Sequence, residues 1–148
     1  MLERLLASFY APSATSKALA AGAVALCQLG IAWFVYSTGG VKFATLHLMY
    51  LPIIFAALVC GTGGGVVAGA VSGVLLGPYM PLDSFTGEAQ MLGNWLYRTA
   101  FFCMVGGVAG VGVAALRRQL NILNWLNEHD ARTGMLDQTG LLKTLRRI

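Results

Sequence analysis

Between Lys17 and Arg117, only Lys42, Asp83, Glu88 and Arg98 carry a formal charge. The rest of that stretch is apolar, small or neutral, and this leaves very few ways for the chain to fold. Hydrocarbon contains no water to pair with backbone N–H and C=O groups, so a segment there must satisfy them internally, as a helix does. Across all 148 residues the hydrophobic share is 57% and the charged share 11%, against about 25% charged in soluble domains. The class indicated is an all-α polytopic membrane protein whose first partner is the lipid bilayer. The net charge of +4 does not point to nucleic acid, because the lysines and arginines gather at segment ends, where they set topology.

Four apolar segments follow: Ala18 to Ser37, Phe43 to Cys60, Gly63 to Gly77 and Met91 to Leu116. A spanning helix needs about 20 such residues. The first and fourth meet that length, the second lies near its lower limit and the third is shorter. For the third, a re-entrant segment is the alternative to a span. Arg4 and Lys17 precede the first segment, and Arg117 and Arg118 follow the fourth. The Met80–Gln90 loop carries Asp83 and Glu88 without a cation, so the positive-inside rule places both termini in the cytoplasm. Lys42, in a short outer loop, is the one dissenting charge. Four transmembrane helices, multi-pass in a bacterial inner membrane, are expected, followed by a cytoplasmic connector helix. The expected parts are a cytoplasmic N-terminal segment (1–17), a four-helix membrane domain (18–116), a connector (117–128) and a soluble start (129–148). Met1–Lys17 lacks a signal-peptide pattern, so the first helix is expected to remain as an anchor. Trp33, Tyr36, Tyr79 and Trp95 fall near the outer ends of the segments, the depth such rings prefer.

Gly61, Gly65, Gly69, Gly73 and Gly77 recur every fourth residue. Residues four apart share one side of a helix, so the stripe forms a nearly side-chain-free groove. Lipid gives helices no hydrophobic reason to associate, and close approach at small residues supplies contact instead. Gly106 and Gly110 form a matching pair on the fourth segment. The third and fourth helices are therefore expected to pack through these faces, with a right-handed crossing. Pro52, inside the second segment, predicts a kink near Leu48. Pro78 and Pro81 predict a rigid turn after the third. Cys27, Cys60 and Cys103 have neither CxxC spacing nor a His neighbour and read as small hydrophobes.

His47, Asn94 and Arg98 lie at one depth near the outer side, with Tyr50 and Tyr97 nearby. Ionisable groups in a membrane are costly and usually face a partner or a cavity. One reading is an outward pocket of His47, Tyr50, Asn94 and Arg98 for a small-molecule ligand bearing an anionic group or a quinone carbonyl. His47 could also ligate a haem iron or a copper ion. The other reading has Arg98 snorkelling or pairing with Asp83 or Glu88, and His47 capping a helix end.

Past the fourth segment, Val113, Leu116, Leu120, Leu123 and Asn127 step by three and four, an a/d seam with a polar residue at an a position. Such a seam suits a parallel homodimer. The residues that follow run His129-Asp130-Ala131-Arg132-Thr133-Gly134-Met135-Leu136-Asp137-Gln138-Thr139-Gly140-Leu141-Leu142. They resemble the opening of the GGDEF family, the diguanylate cyclases, which begins like H-D-x-L-T-G-L-x-N-R-x-x-F after a coiled helix. His129, Asp130, Thr133, Gly134 and Leu141 match that opening. Arg132 stands where the family has leucine, Asp137-Gln138 where it has Asn-Arg, and Met135 replaces a leucine. The resemblance covers about twenty residues. It implies an output domain that condenses two GTP molecules into cyclic di-GMP with Mg²⁺ across a dimer interface. The GGDEF signature and its metal ligands are absent from these 148 residues, so no catalytic residue is expected in the chain itself. The expected function is a membrane sensory module controlling a cytoplasmic cyclase. The alternatives are a passive anchor and a small transporter or channel subunit.

Overall fold

The structure, a computed structural model, describes residues 14–128. Residues 1–13 of the expected N-terminal segment and the GGDEF-like start, with Asp130, Thr133 and Gly134, lie outside the described residues, while 14–17 already belong to the first helix. The described fold is all-helical: α1 (Ala14–Ser37), a short 3-10 helix (Ala44–Met49), α2 (Tyr50–Leu75) and α3 (Leu92–Glu128). Three helices are long and apolar enough to cross a membrane, over Ala14–Ser37, Ala44–Leu75 and Leu92–Leu123. The chain divides into two units, Met1–Val113 and Ala114–Ile148.

Within the first unit, α2 does not run straight. Gly61 has φ 74° and ψ −162°, a backbone region open essentially to glycine alone. Beyond it the chain doubles back. A methyl group on Gly65 would lie 2.8 Å from Cβ of Ala57, and one on Gly64 would lie 3.0 Å from the Ala56 carbonyl oxygen. In an unbroken helix Gly65 and Ala57 would stand about 12 Å apart along the axis. Residues 50–60 and 62–75 are thus two arms of a helical hairpin with Gly61 at its tip. Gly61 therefore leaves the expected packing stripe and makes the turn instead, with nothing within 4 Å of a Cβ placed on it.

The second arm lies antiparallel along α3. Gly110 faces Thr62, Gly106 faces Gly65, Gly69 faces the Phe102 backbone, Gly73 faces Thr99 and Gly77 faces the Trp95 ring. At Gly69 a methyl would lie 2.6 Å from the Phe102 carbonyl carbon and 2.7 Å from the Cys103 nitrogen. Main chain meets main chain here, and a side chain has no room.

Pro52 sits in the first turn of α2, just after the 3-10 helix gives way to α geometry at Tyr50. An N–H there has no intrahelical acceptor, so proline costs little. The expected mid-helix kink is instead a change of helix type at Met49–Tyr50. α1 ends at Thr38-Gly39-Gly40, where φ is 115° at Gly39 and 88° at Gly40. The Gly40 N–H returns to the Val35 carbonyl at 2.9 Å, so glycine supplies the left-handed residues that close a helix end. Val35, Met49, Ile53, Leu76 and Phe102 are fully buried and form the apolar centre. Trp33 and Tyr79 are exposed.

In the second unit, residues 114–128 are helical. Leu116 and Leu123 of the expected seam are exposed at 56% and 59%, and Leu120 is half-buried. Asn127 is in the helix.

The glycine contacts make a sharp contrast testable. Gly106→Ala places a methyl against the Gly65 main chain, whereas Gly112 has nothing within 4 Å. Overpacking of this kind costs about 1–3 kcal/mol. Gly106→Ala is expected to lower the midpoint of thermal unfolding in detergent, and Gly112→Ala to leave it unchanged or raise it slightly.

Candidate functional site

The turn after α1 and the long turn after α2 meet at one end of the bundle, the loop end, opposite Gly61. The Lys42 N–H donates to the Leu82 carbonyl at 3.2 Å and the Ser84 N–H to Gly39 at 3.3 Å. Ser84 Oγ donates to the Tyr36 carbonyl at 2.7 Å. The Lys42 ammonium is ion-paired to Asp83 Oδ2 and lies 5.0 Å from the Phe43 ring centroid. The dissenting Lys42 is therefore neutralised locally. Asp83 is held below its ordinary value of 3.8, first by the Lys42 bond and then by the Phe85 N–H. With Asp83 committed to Lys42, the expected Arg98–Asp83 pair does not form.

Arg98 does something else. It is half-buried and its Nη1 donates to the Leu76 carbonyl at 3.0 Å. Gln90 Nε2 donates to the Leu76, Gly77 and Met80 carbonyls at 3.0, 3.3 and 2.6 Å. The last carbonyls of a helix have no intrahelical donor, and cations near that end suit the helix dipole. Gln90 and Arg98 together close the C-terminal end of α2. Gln90 Oε1 is buried without a hydrogen-bond partner.

Asn94, Arg98 and Phe102 step by four, so they share one face of α3. The Phe102 ring meets the Tyr50 ring edge-on at 5.3 Å and 88°. Tyr50 in turn stacks on His47 at 5.7 Å and 10°. The first hairpin arm runs inward from the loop end while α3 starts there. His47 precedes Tyr50 by one turn of chain, and Arg98 precedes Phe102 by one turn, with Asn94 a further turn before it. His47, Asn94 and Tyr97 are exposed, and Tyr50 is half-buried. Among the described residues, Arg98 has no ion-pair partner. Among the described residues no three His, Cys, Asp or Glu side chains gather as a metal site. The thiols of Cys27, Cys60 and Cys103 are free, and Cys27 is exposed rather than buried.

One polar contact escaped the sequence reading. Gln28, 2% exposed in the middle of α1, donates to the Ala68 carbonyl at 2.8 Å and to Ser72 Oγ at 2.9 Å on the second arm. The signal was a lone amide in an otherwise apolar run, a residue type that bonds between membrane helices. Nearby, Ala21, Val24, Ala25, Ala56, Gly64 and Val67 line an apolar groove between α1 and the hairpin.

Comparison with protein-family models, with curated proteins and with solved structures gives no match to this chain.

Two outcomes are expected. Gln28→Leu removes both bonds across the α1–hairpin seam and lowers stability in detergent by about 1 kcal/mol, the usual size of such contacts; Ser72→Ala, which leaves the Ala68 bond, lowers it less. Because the folded carboxyl of Asp83 titrates below 3.8, its contribution to stability is complete above that pH. It is lost as pH falls through the depressed value. The unfolding midpoint should drop in that acid window, and Asp83→Asn should flatten this part of the profile.

Proposed function

We propose that the chain is a membrane-embedded input module of a bacterial signalling protein, with a cytoplasmic diguanylate cyclase as its output. The observation that carries this reading is the exposed apolar seam of residues 114–123. Leu116 and Leu123 stand out on a segment that also bears Arg117, Arg118 and Gln119. Exposed leucines at heptad spacing on a polar helix suit a partner helix, and a second copy of the chain gives a parallel pair. The likeness of residues 129–142 to the GGDEF opening is the ground for naming the output.

In this reading each hairpin arm crosses the bilayer, giving four crossings of the bacterial inner membrane and two cytoplasmic termini. Its support is the reversal at Gly61 together with the charge balance of the loops. The 3-10 helix and first arm together extend roughly 28 Å. The second arm extends roughly 21 Å against a core of about 30 Å, a mismatch that local thinning accommodates. The residues His47, Tyr50, Asn94 and Arg98, expected near the outer side, are then the place where a stimulus acts. A ligand changes the output only by binding one arrangement of the pair more tightly than the other. A passive anchor is the second reading, favoured by the service of Arg98 as a helix cap.

The test joins the chain through Glu128 to a reporter cyclase domain and measures cyclic di-GMP in bacteria. Leu116→Asn with Leu123→Asn is expected to change the level about fivefold or more, the lower range of allosteric coupling. His47→Ala with Asn94→Ala should alter it without affecting membrane insertion. If both pairs leave the level unchanged, the module is only an anchor.

A further inference from the structure

The groove between α1 and the hairpin has two unlike ends. Its volume is about 210 Å³. Ala21 and Ala25 form its rim on α1, Val67 and Val71 its rim on the second arm, and all four are exposed. Ala56 and Ala68 line it from buried positions, and such short side chains leave space between the helices. At one end Gln28 reaches from α1 to the Ala68 carbonyl and to Ser72 Oγ, which closes the passage. At the other end, by Ala21 and Cys60, the groove opens toward the hairpin tip. From Ala21 to Gln28 the helix rises roughly 10 Å, less than the about 15 Å of hydrocarbon in one leaflet.

Lys17 stands at the open end. Lys17, Ala21, Val24 and Gln28 step by four, three and four, so they share one side of α1. Lys17 is thus about 6 Å beyond Ala21 along the axis, on the side of the groove. It is exposed and makes no ion pair among the described residues. Asp83 and Glu88, the acidic residues within 14–113, both lie at the opposite, loop end.

We propose that this groove holds one acyl chain of an anionic phospholipid from the leaflet at the tip end, with Lys17 beside the lipid phosphate. In a bilayer the chain gains nothing by leaving its surroundings, which are as apolar as the groove. What it gains is contact. An alkyl chain between two helices touches protein on both sides, whereas one lying against a single helix touches it on one, and dispersion attraction grows with the number of such atom pairs. The Gln28 bridge gives the chain a definite end point. A helix of a second copy, about 10 Å across, is too wide for a groove of this volume. The charge at the mouth selects the headgroup. Lys17 keeps its ammonium in the headgroup layer and needs no partner there, but a cation at that level favours an anionic headgroup over a zwitterionic one. The proposal requires the helices to lie in a bilayer and is independent of the output domain.

The test uses the whole chain in maltoside micelles with an equimolar mixture of dioleoyl phosphatidylglycerol and dioleoyl phosphatidylcholine, and reads by native mass spectrometry which lipid each chain retains. The chain is expected to keep one lipid and to prefer phosphatidylglycerol by on the order of fivefold, the effect of one lysine on an anionic headgroup. Lys17→Gln should bring the two lipids level. Ala25→Phe fills the groove from its exposed rim and should lose both. Ala21→Phe, one turn nearer the mouth, should do the same and decides the matter if Ala25→Phe fails to fold. Leu26→Phe, on the opposite side of α1 and 73% exposed at present, should retain lipid as the parent chain does. Equal retention of the two lipids by the parent chain would overturn the proposal, as would full retention in the groove-filling variants. The signalling reading is tested separately: lipid retention with an unresponsive reporter leaves this site standing and removes the sensor. A responsive reporter without lipid retention does the reverse.

Discussion

The contact between the second hairpin arm and α3 holds the helices in register. At Gly65–Gly106 and Gly69–Phe102 the two main chains touch without intervening side chains. In lipid, apolar side chains gain nothing by leaving the solvent, because the solvent is as apolar as they are. Packing density is what remains, and it is greatest where backbones meet. This contact also determines what else can be built. It places Phe102 where its ring closes against Tyr50 of the other arm. It brings Thr99 and Trp95 to Gly73 and Gly77, and it sets Arg98 beside the carbonyl end of α2.

The reversal at Gly61 is the second constraint, and it depends on the first. A tight turn between two helices leaves two short arms, neither of which has much packing of its own. Each needs a long neighbour. The second arm has α3 through its glycines, and both arms meet α1, the second through the Gln28 bonds to Ala68 and Ser72. Polar side chains in this bundle are thus used sparingly and for backbone ends or seams. Gln90 and Arg98 close the last carbonyls of α2, which have no donor within their own helix. Lys42 and Asp83 fasten two loops whose own backbones pair only in part.

Arg98 joins structure to the proposed chemistry. A residue that only capped a helix could be an amide, as Gln90 is. A guanidinium at the same carbonyl carries a full charge and several further donors beyond the one used there. The exposed leucines of residues 114–123 supply the independent half of the functional reading, because apolar groups at heptad spacing on a polar segment call for a partner helix.

Composition and charge placement were enough to read an all-helical chain with helices suited to a bilayer, and the four-residue glycine period located the close-packed face. These are local properties: hydrocarbon demands internally paired backbone, and the helical period decides which residues share a side. The turn at Gly61 was not legible, since its glycine belongs to the same four-residue series as those in the groove, and only the doubled-back chain distinguishes a turn from a packing position. The role of Gln28 was missed because a lone amide in an apolar run does not announce which helix will answer it. Arg98 and Asp83 could be placed at neighbouring depths from sequence, but their partners are settled by direction. The Leu76 carbonyl and the Lys42 ammonium lie where the folded chain puts them, and proximity along the sequence carries no information about which of several donors reaches an acceptor first.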